Sequence, residues 1–251
     1  MSVDRSHGDF DAAQRAHFVE ADVDQYRWTT TAPGIAETED ELLAPLLAHV
    51  APPCLEIGCG EGNNLHRLAE HVPCFGIDRF PRKLQFASRE HPKSRFAAAD
   101  AAQLPFRDAT FASVFIRDLL HHVPSPAATL AEALRVLRPG GRLCILEPNG
   151  RNPLIHLQTR LVPAEIGARD STPDNLRALF DDLPVDDLRI EARQPLALRR
   201  TALHYRMGMP ALGEFPPTRW LLAGAEAVLG SLLPRSRWTY IEITAIRAPL
   251  R

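Results

Sequence analysis

The sequence predicts an α/β fold: a Rossmann-like, doubly wound, seven-stranded sheet in which one late-inserted strand runs antiparallel. Three observations carry this expectation. From Cys54 onward, short apolar runs recur, each ending in an acidic or glycine-rich turn and each followed by a helical stretch, the rhythm of βαβ units. The first run ends in Gly58-Cys59-Gly60-Glu61-Gly62, a turn with glycines at alternate positions. Near the C-terminus, Thr239-Tyr240-Ile241-Glu242-Ile243-Thr244 has the β-branched content of a sheet interior.

The elements follow in order. Residues 1–50 read as a helical, amphipathic arm or cap, with Phe10, Ala13, His17 and Val19 in one segment and Leu42, Leu43, Leu46 and Leu47 in another, joined by a loop from Tyr26 to Gly34. Residues 51–251 read as one α/β domain. Its strands are expected at Cys54–Ile57, Cys74–Ile77, Arg95–Ala99, Ser113–Ile116 and Leu143–Leu146, and its helices at Asn63–His71, Pro81–His91 and Pro126–Leu137. Arg138-Pro139-Gly140-Gly141 stops the last of these helices. Asn152–Val162 and Thr172–Asp182 read as helices, the second with Thr172 as N-cap and Pro173 at the first helical position. Leu188–Leu198 and Trp238–Ile246 read as strands, and a Pro- and Gly-bounded insertion of about 200–236, a lid with a helix at Thr218–Leu233, lies between them.

Composition narrows the function. The 251 residues are 45% hydrophobic and 24% charged, a globular balance compatible with a single core. No stretch has the length of a membrane span and the polar N-terminus lacks a signal-peptide core, so a cytoplasmic protein is expected. Cys54, Cys59, Cys74 and Cys144 form no C-x-x-C pair and read as reduced, mostly buried thiols. A formal charge of −2 lacks the basic excess of a protein that neutralises many phosphates, so no nucleic-acid partner is expected. The charge is uneven: residues 1–50 carry ten acids against three arginines, whereas residues 187–251 carry ten arginines against five acids. This reads either as two solvated surfaces or as a basic rim that steers an anionic substrate.

The glycine turn lets a ligand approach the main chain, and the helix that follows offers unpaired N–H groups. The dinucleotide fingerprint would place its third glycine at position 63; here it falls at 62 and Asn63 follows, which argues against a nicotinamide cofactor. Glu56, two residues before the turn, disfavours a pyrophosphate and favours a cationic ligand. Asp78 and Asp100 end the next two strands, and in a doubly wound sheet such ends converge on one crevice.

These residues resemble the class I S-adenosylmethionine-dependent methyltransferases, in particular the branch acting on small molecules. The acidic residue followed by alternate glycines matches Glu56, Gly58, Gly60 and Gly62. The ribose-binding acid matches Asp78 in Gly76-Ile77-Asp78, and the adenine-binding acid matches Asp100-Ala101, followed by Leu104-Pro105-Phe106. Leu120-His121-His122-Val123 and Leu137-Arg138-Pro139-Gly140-Gly141 complete the set within residues 54–147. The resemblance implies S-adenosyl-L-methionine as cofactor, held by Glu56, Gly58, Cys59, Gly60, Gly62, Asp78, Arg79, Asp100, Ala101 and Arg117. It implies methyl transfer to oxygen, nitrogen or carbon of a small, partly apolar acceptor.

Two departures stand out: Phe111-Ala112-Ser113 lacks the family's aspartate after the phenylalanine, and Arg117-Asp118 replaces the usual small residues. Arg117 has two open readings, a salt bridge to Asp118 or a side chain facing the pocket. His121, His122 and Glu147 are the acid–base candidates, each with a structural reading beside it. Tyr26 and Trp28 either cover the sulfonium by cation–π contact or pin the arm to the domain. The apolar segment from Trp220 to Leu233 reads as a cap over the pocket, a dimer surface or a peripheral membrane patch, and the oligomeric state stays open. A nicotinamide oxidoreductase and a non-catalytic cofactor-binding partner protein are the alternative functions.

Overall fold

Apolar alternation and turn chemistry place seven strands in one sheet of order β3-β2-β1-β4-β5-β7-β6. The computed structural model describes residues 27–69, 74–204 and 208–249, so Phe10, Ala13, His17, Val19 and Tyr26 lie outside the described residues. In chain order the elements are α1 (Trp28–Thr31), α2 (Ile35–Leu47), β1 (Cys54–Ile57), α3 (Asn63–Ala69), β2 (Cys74–Asp78), α4 (Pro81–Glu90), β3 (Arg95–Ala98), β4 (Phe111–Arg117), α5 (Pro126–Val136) and β5 (Leu137–Pro148). Then come α6 (Pro153–Leu161), α7 (Pro173–Ala178), β6 (Val185–Arg193), α8 (Leu198–Ala202), α9 (Pro216–Ser231) and β7 (Tyr240–Arg247). Short 3-10 segments at Leu120–His122 and Pro163–Arg169 follow β4 and α6.

β1 pairs in parallel with both β2 and β4, and β7 runs antiparallel to both β5 and β6, as the alternation around Tyr240 predicts. β1 and the centre of β4 are buried on both faces, which is why they read as continuous apolar runs. Leu55, Ile57, Val114, Ile116, Leu143, Ile145 and Ile243 form the main core on one side of the sheet. On the other side Leu42, Leu43 and Leu46 of α2 pack with Cys54, Leu65, Phe115 and Cys144. All four cysteines are free and buried.

Several boundaries differ from the sequence reading for identifiable reasons. The stretch read as a loop contains the helical turn α1, with Trp28 buried. The strand expected at Leu188–Leu198 starts earlier, because Val185 pairs with Arg247, and ends at Arg193, before Pro195; Leu198 opens α8 instead. Asp187 sits at φ 48° at a register shift in this edge strand. The helix after Thr172 is shorter than expected, although Thr172 does cap it by accepting from Asn175 N. Helix α5 ends at Val136 as predicted, but Arg138-Pro139-Gly140-Gly141 belongs to the irregular start of β5. Ser113, one residue past the position of the missing aspartate, accepts from Ala51 N through its Oγ at 2.8 Å.

The glycine in mid-β2 shows how tightly the sheet meets α3. A Cβ at Gly76 would lie 2.7 Å from Cys59 Sγ and 2.8 Å from Leu65 Cδ1. Gly76→Val is expected to destabilise the protein by about 1–3 kcal/mol, read as a lower urea midpoint with an unchanged m value.

Candidate active site

The strand order reverses between β1 and β4, so their carboxyl ends diverge and open a crevice. A cavity of about 570 Å³ occupies it, within the range of small-molecule sites. Its wall includes Gly58, Cys59, Gly60, Asp78, Arg79, Asp100, Ala101, Arg117, His121 and His122, ten of the sequence-predicted site residues.

At one end the glycine turn is fastened by backbone: Gly58 N and Cys59 N both donate to Ile77 O, at 2.8 and 2.9 Å. Asp78 supports it from β2, where Oδ2 accepts from Gly60 N at 2.9 Å and Oδ1 from Phe80 N at 2.8 Å. Burial raises the Asp78 pKa, opposed by Lys83 and by these two N–H donors. The three glycines do different work. Gly60, at φ 52°, has open space where a side chain would begin, the nearest atom being Lys83 Nζ at 3.6 Å. Gly62, at φ 86°, is a packing position, since a Cβ there would lie 2.7 Å from His91 Cδ2. Asp100, exposed at its strand end, accepts from Ala102 N at 2.8 Å and so shapes the turn that carries Ala101.

Three expected site residues do not reach the cavity wall: Glu56, Gly62 and Glu147. Glu56 is fully buried beneath the turn, where Oε1 accepts from Asn64 Nδ2 at 2.7 Å and Oε2 has no hydrogen-bond partner among the described residues. Burial pushes its pKa from 4.5 up to about 8, so at neutral pH it offers no full negative charge to a cationic ligand. Asn64, which sequence reasoning missed, stands on the wall and links Glu56 to Arg117, whose Nη1 donates to Asn64 Oδ1 at 2.9 Å.

Both readings of Arg117 hold at once. It lines the cavity, and it pairs with Asp118 at 3.3 Å and with Glu39 of α2. Glu39 also binds Arg200 of α8. Burial alone would raise the Glu39 pKa, but Arg117 and Arg200 outweigh it and hold the carboxylate below its ordinary value. Asp118, at φ 48°, is a strained non-glycine residue on the wall. Trp28 also faces the cavity, with its ring 4.8 Å from that of His204 and the Arg200 guanidinium 5.6 Å away.

At the other end, the 3-10 segment at Leu120–His122 stacks the two imidazoles with centroids 3.9 Å apart. Glu147, at the end of β5, sits behind them. Its Oε1 accepts from Leu119 N and Leu120 N, both at 2.8 Å, and its Oε2 lies 2.6 Å from His121 Nδ1. Glu147 is therefore a positioning residue that fixes the turn and one ring. Glu165, from the second 3-10 segment, lies 3.4 Å from His121 Nε2 and 3.7 Å from His122 Nε2. Burial would lower the His121 pKa, but Glu147 and Glu165 override it and raise it to about 10. Pro148, Ile155, Gln158 and Ala168 complete this end. Glu165 and Arg200 escaped sequence reasoning because they lie in segments without a recurring pattern, and Gln158 because the helix that carries it was legible but the face it turns to the cavity was not.

Residues 55–145 match the model of the methyltransferase domain family. Over this segment the chain is similar to a methyltransferase domain. Over 114 residues it is 35% identical to 27-O-demethylrifamycin SV methyltransferase of Amycolatopsis mediterranei, an alignment covering 42% of each chain. Over 177 residues it is 29% identical to trans-aconitate 2-methyltransferase of Methylobacterium radiotolerans, covering 66% of this chain and 67% of that one. The match thus spans less than half of the first relative's length. The fold is shared with Haemonchus contortus phosphoethanolamine N-methyltransferase 2, solved with phosphomonomethylethanolamine and S-adenosylhomocysteine: TM-score 0.65 at 17% identity, covering 97% of this chain and 60% of that one.

Around the cavity, α8 contributes Arg200 to the wall and α9 contributes none of the lining residues. Helix α9 is inverted: Glu226 is buried and accepts from Arg199 N at 3.0 Å, while Trp220, Leu221, Val228 and Leu232 face outward. Among the described residues no helix is long and apolar enough to cross a membrane.

The Glu56 carboxyl generates a pH test. Its folded-state pKa is raised, so its contribution to stability is complete below pH 4.5 and is lost as pH rises toward about 8. Glu56→Gln, which keeps an acceptor for Asn64, is expected to flatten the decline of urea-unfolding free energy across that window.

Proposed function

We propose that the protein is an S-adenosyl-L-methionine-dependent methyltransferase acting on oxygen, nitrogen or carbon of a small, partly apolar metabolite in the cytoplasm, with no nucleic-acid partner. The observation that carries this reading is the cradle at one end of the cavity: an open Gly60, with Asp78 and Asp100 at the ends of neighbouring strands. The residues present fit that cofactor. Gly58, Cys59 and Gly60 offer close main-chain approach, Asp78 and Asp100 offer acceptors to ribose and adenine groups, and Arg79, Ala101 and Arg117 close the wall. Glu56 and Gly62 serve this site from behind the wall, by holding Asn64 and by admitting α4.

S-adenosyl-L-methionine, held by Gly58, Cys59, Gly60, Asp78 and Asp100, would supply an already activated methyl group. The protein aligns the two partners and excludes water. Trp28, Leu119, Ile155 and Ala168 give the acceptor an apolar surface, and Gln158, Arg200 and Tyr240 orient its polar groups. The cluster of His121, His122 and Glu165, positioned by Glu147, eases the loss of the acceptor's proton to solvent. Residues 51–251 form the methyltransferase domain. Residues 1–50 and about 200–236 act as arm and lid, a division supported by the ion pair of Glu39 with Arg200, which ties the two segments together beside the cavity.

Gly60→Arg, whose Cβ would meet only the flexible end of Lys83 but would sit at φ 52°, is expected to lower stability modestly without unfolding the protein and to abolish S-adenosylhomocysteine binding by calorimetry. Tight NADH binding by the native protein without S-adenosylmethionine binding would overturn the reading. With native protein and cofactor, mass spectrometry of a metabolite extract should reveal an acceptor that gains one methylene equivalent.

A further inference from the structure

We propose that His121, His122 and Glu165 hold a divalent first-row transition cation that binds and activates an acceptor hydroxyl. This rests on the methyltransferase reading for its role and on the geometry of the cluster for its existence.

One donor atom from each of the three side chains lies within 4.8 Å of the others. An ion held at about 2.0–2.2 Å from its ligands brings adjacent donors to about 3.0–3.5 Å of one another. Glu165 Oε2 lies 3.4 Å from His121 Nε2 and Oε1 3.7 Å from His122 Nε2, near that spacing, and side-chain rotation within the 4.8 Å set closes the three donors on an ion. The segments that carry the donors are fixed. His121 and His122 are consecutive in a 3-10 turn anchored by Glu147 through two backbone N–H groups, and the Pro163–Arg169 segment packs against that turn.

A second observation, independent of the cluster, is the way Glu147 addresses His121. A buried carboxylate 2.6 Å from Nδ1 holds that nitrogen's proton, so Nε2, which faces Glu165 at 3.4 Å, is the nitrogen whose proton a cation would displace. This carboxylate–histidine arrangement is the usual outer shell of a metal-binding imidazole. Both histidines and Glu165 also line the cavity, so the remaining coordination positions open onto the space assigned to the acceptor.

The donor set selects the ion and the substrate. Two imidazoles and one carboxylate suit manganese, iron, cobalt, nickel or zinc rather than calcium or magnesium. An acceptor hydroxyl bound to such an ion loses its proton to solvent at a much lower pH than in water. The resulting oxyanion takes the methyl group, leaving the thioether. The acceptor class is therefore an alcohol, phenol or enol.

Chelator-treated full-length protein titrated with cobalt(II) chloride tests this. The expected result is a visible absorption band that saturates at one equivalent, with cobalt affinity falling more than tenfold in both His122→Ala and Glu165→Gln. S-adenosylhomocysteine calorimetry on the same samples reports folding and the cofactor cradle separately. No cobalt band in native protein that binds S-adenosylhomocysteine overturns the cation site alone, as does unchanged cobalt affinity in both variants. A one-equivalent band that both variants lose, in native protein that does not bind S-adenosylhomocysteine, supports the cation site and overturns the methyltransferase reading.

Discussion

The parallel, in-register pairing of β1 with β2 on one side and β4 on the other is the constraint on which the rest of the molecule depends. It brings the ends of three strands to one edge of the sheet, and the reversal of strand order between β1 and β4 parts the loops that follow them. The glycine turn is then tied to β2 through Ile77 O and Asp78, and the Arg117-Asp118 corner projects into the same opening from β4. With the register shifted by one residue, every one of these side chains would change face.

The chemistry divides along that edge. The β1–β3 end is built of backbone, glycine and carboxylate acceptors, suited to a nucleoside. The β4–β5 end is built of imidazole and carboxylate, with Glu147 buried behind them as the fixed point. Between the two lies a buried network in which Glu39 takes both Arg117 and Arg200. With Asp118 beside Arg117, two carboxylates meet two guanidiniums, and removal of any one member would leave a charge uncompensated inside the protein.

Much of this was legible in the sequence, for physical reasons. Apolar runs of β1 and β4 announce strands buried on both faces, and Gly60 and Asp78 announce a turn that a ligand approaches. The errors are of one kind. Glu56 and Glu147 sit at strand ends as expected, yet each points behind the wall, because strand position says which end of the sheet a residue occupies but not what will cover it. Gly62 belongs to the turn but answers to His91 in α4, a contact 29 residues away in sequence and invisible to any local pattern. Glu165 and Arg200 lie in short segments whose place is set by tertiary packing, so no periodicity marks them.

The Glu39–Arg200 contact joins residues 161 positions apart, and β7, which separates β5 from β6, is the last of the seven strands among the described residues. On the ribosome the nucleoside-facing half can assemble once β5 has emerged, whereas the roof of the chamber must wait for Arg200 and β7. Vectorial synthesis therefore makes an open vessel first and closes it last.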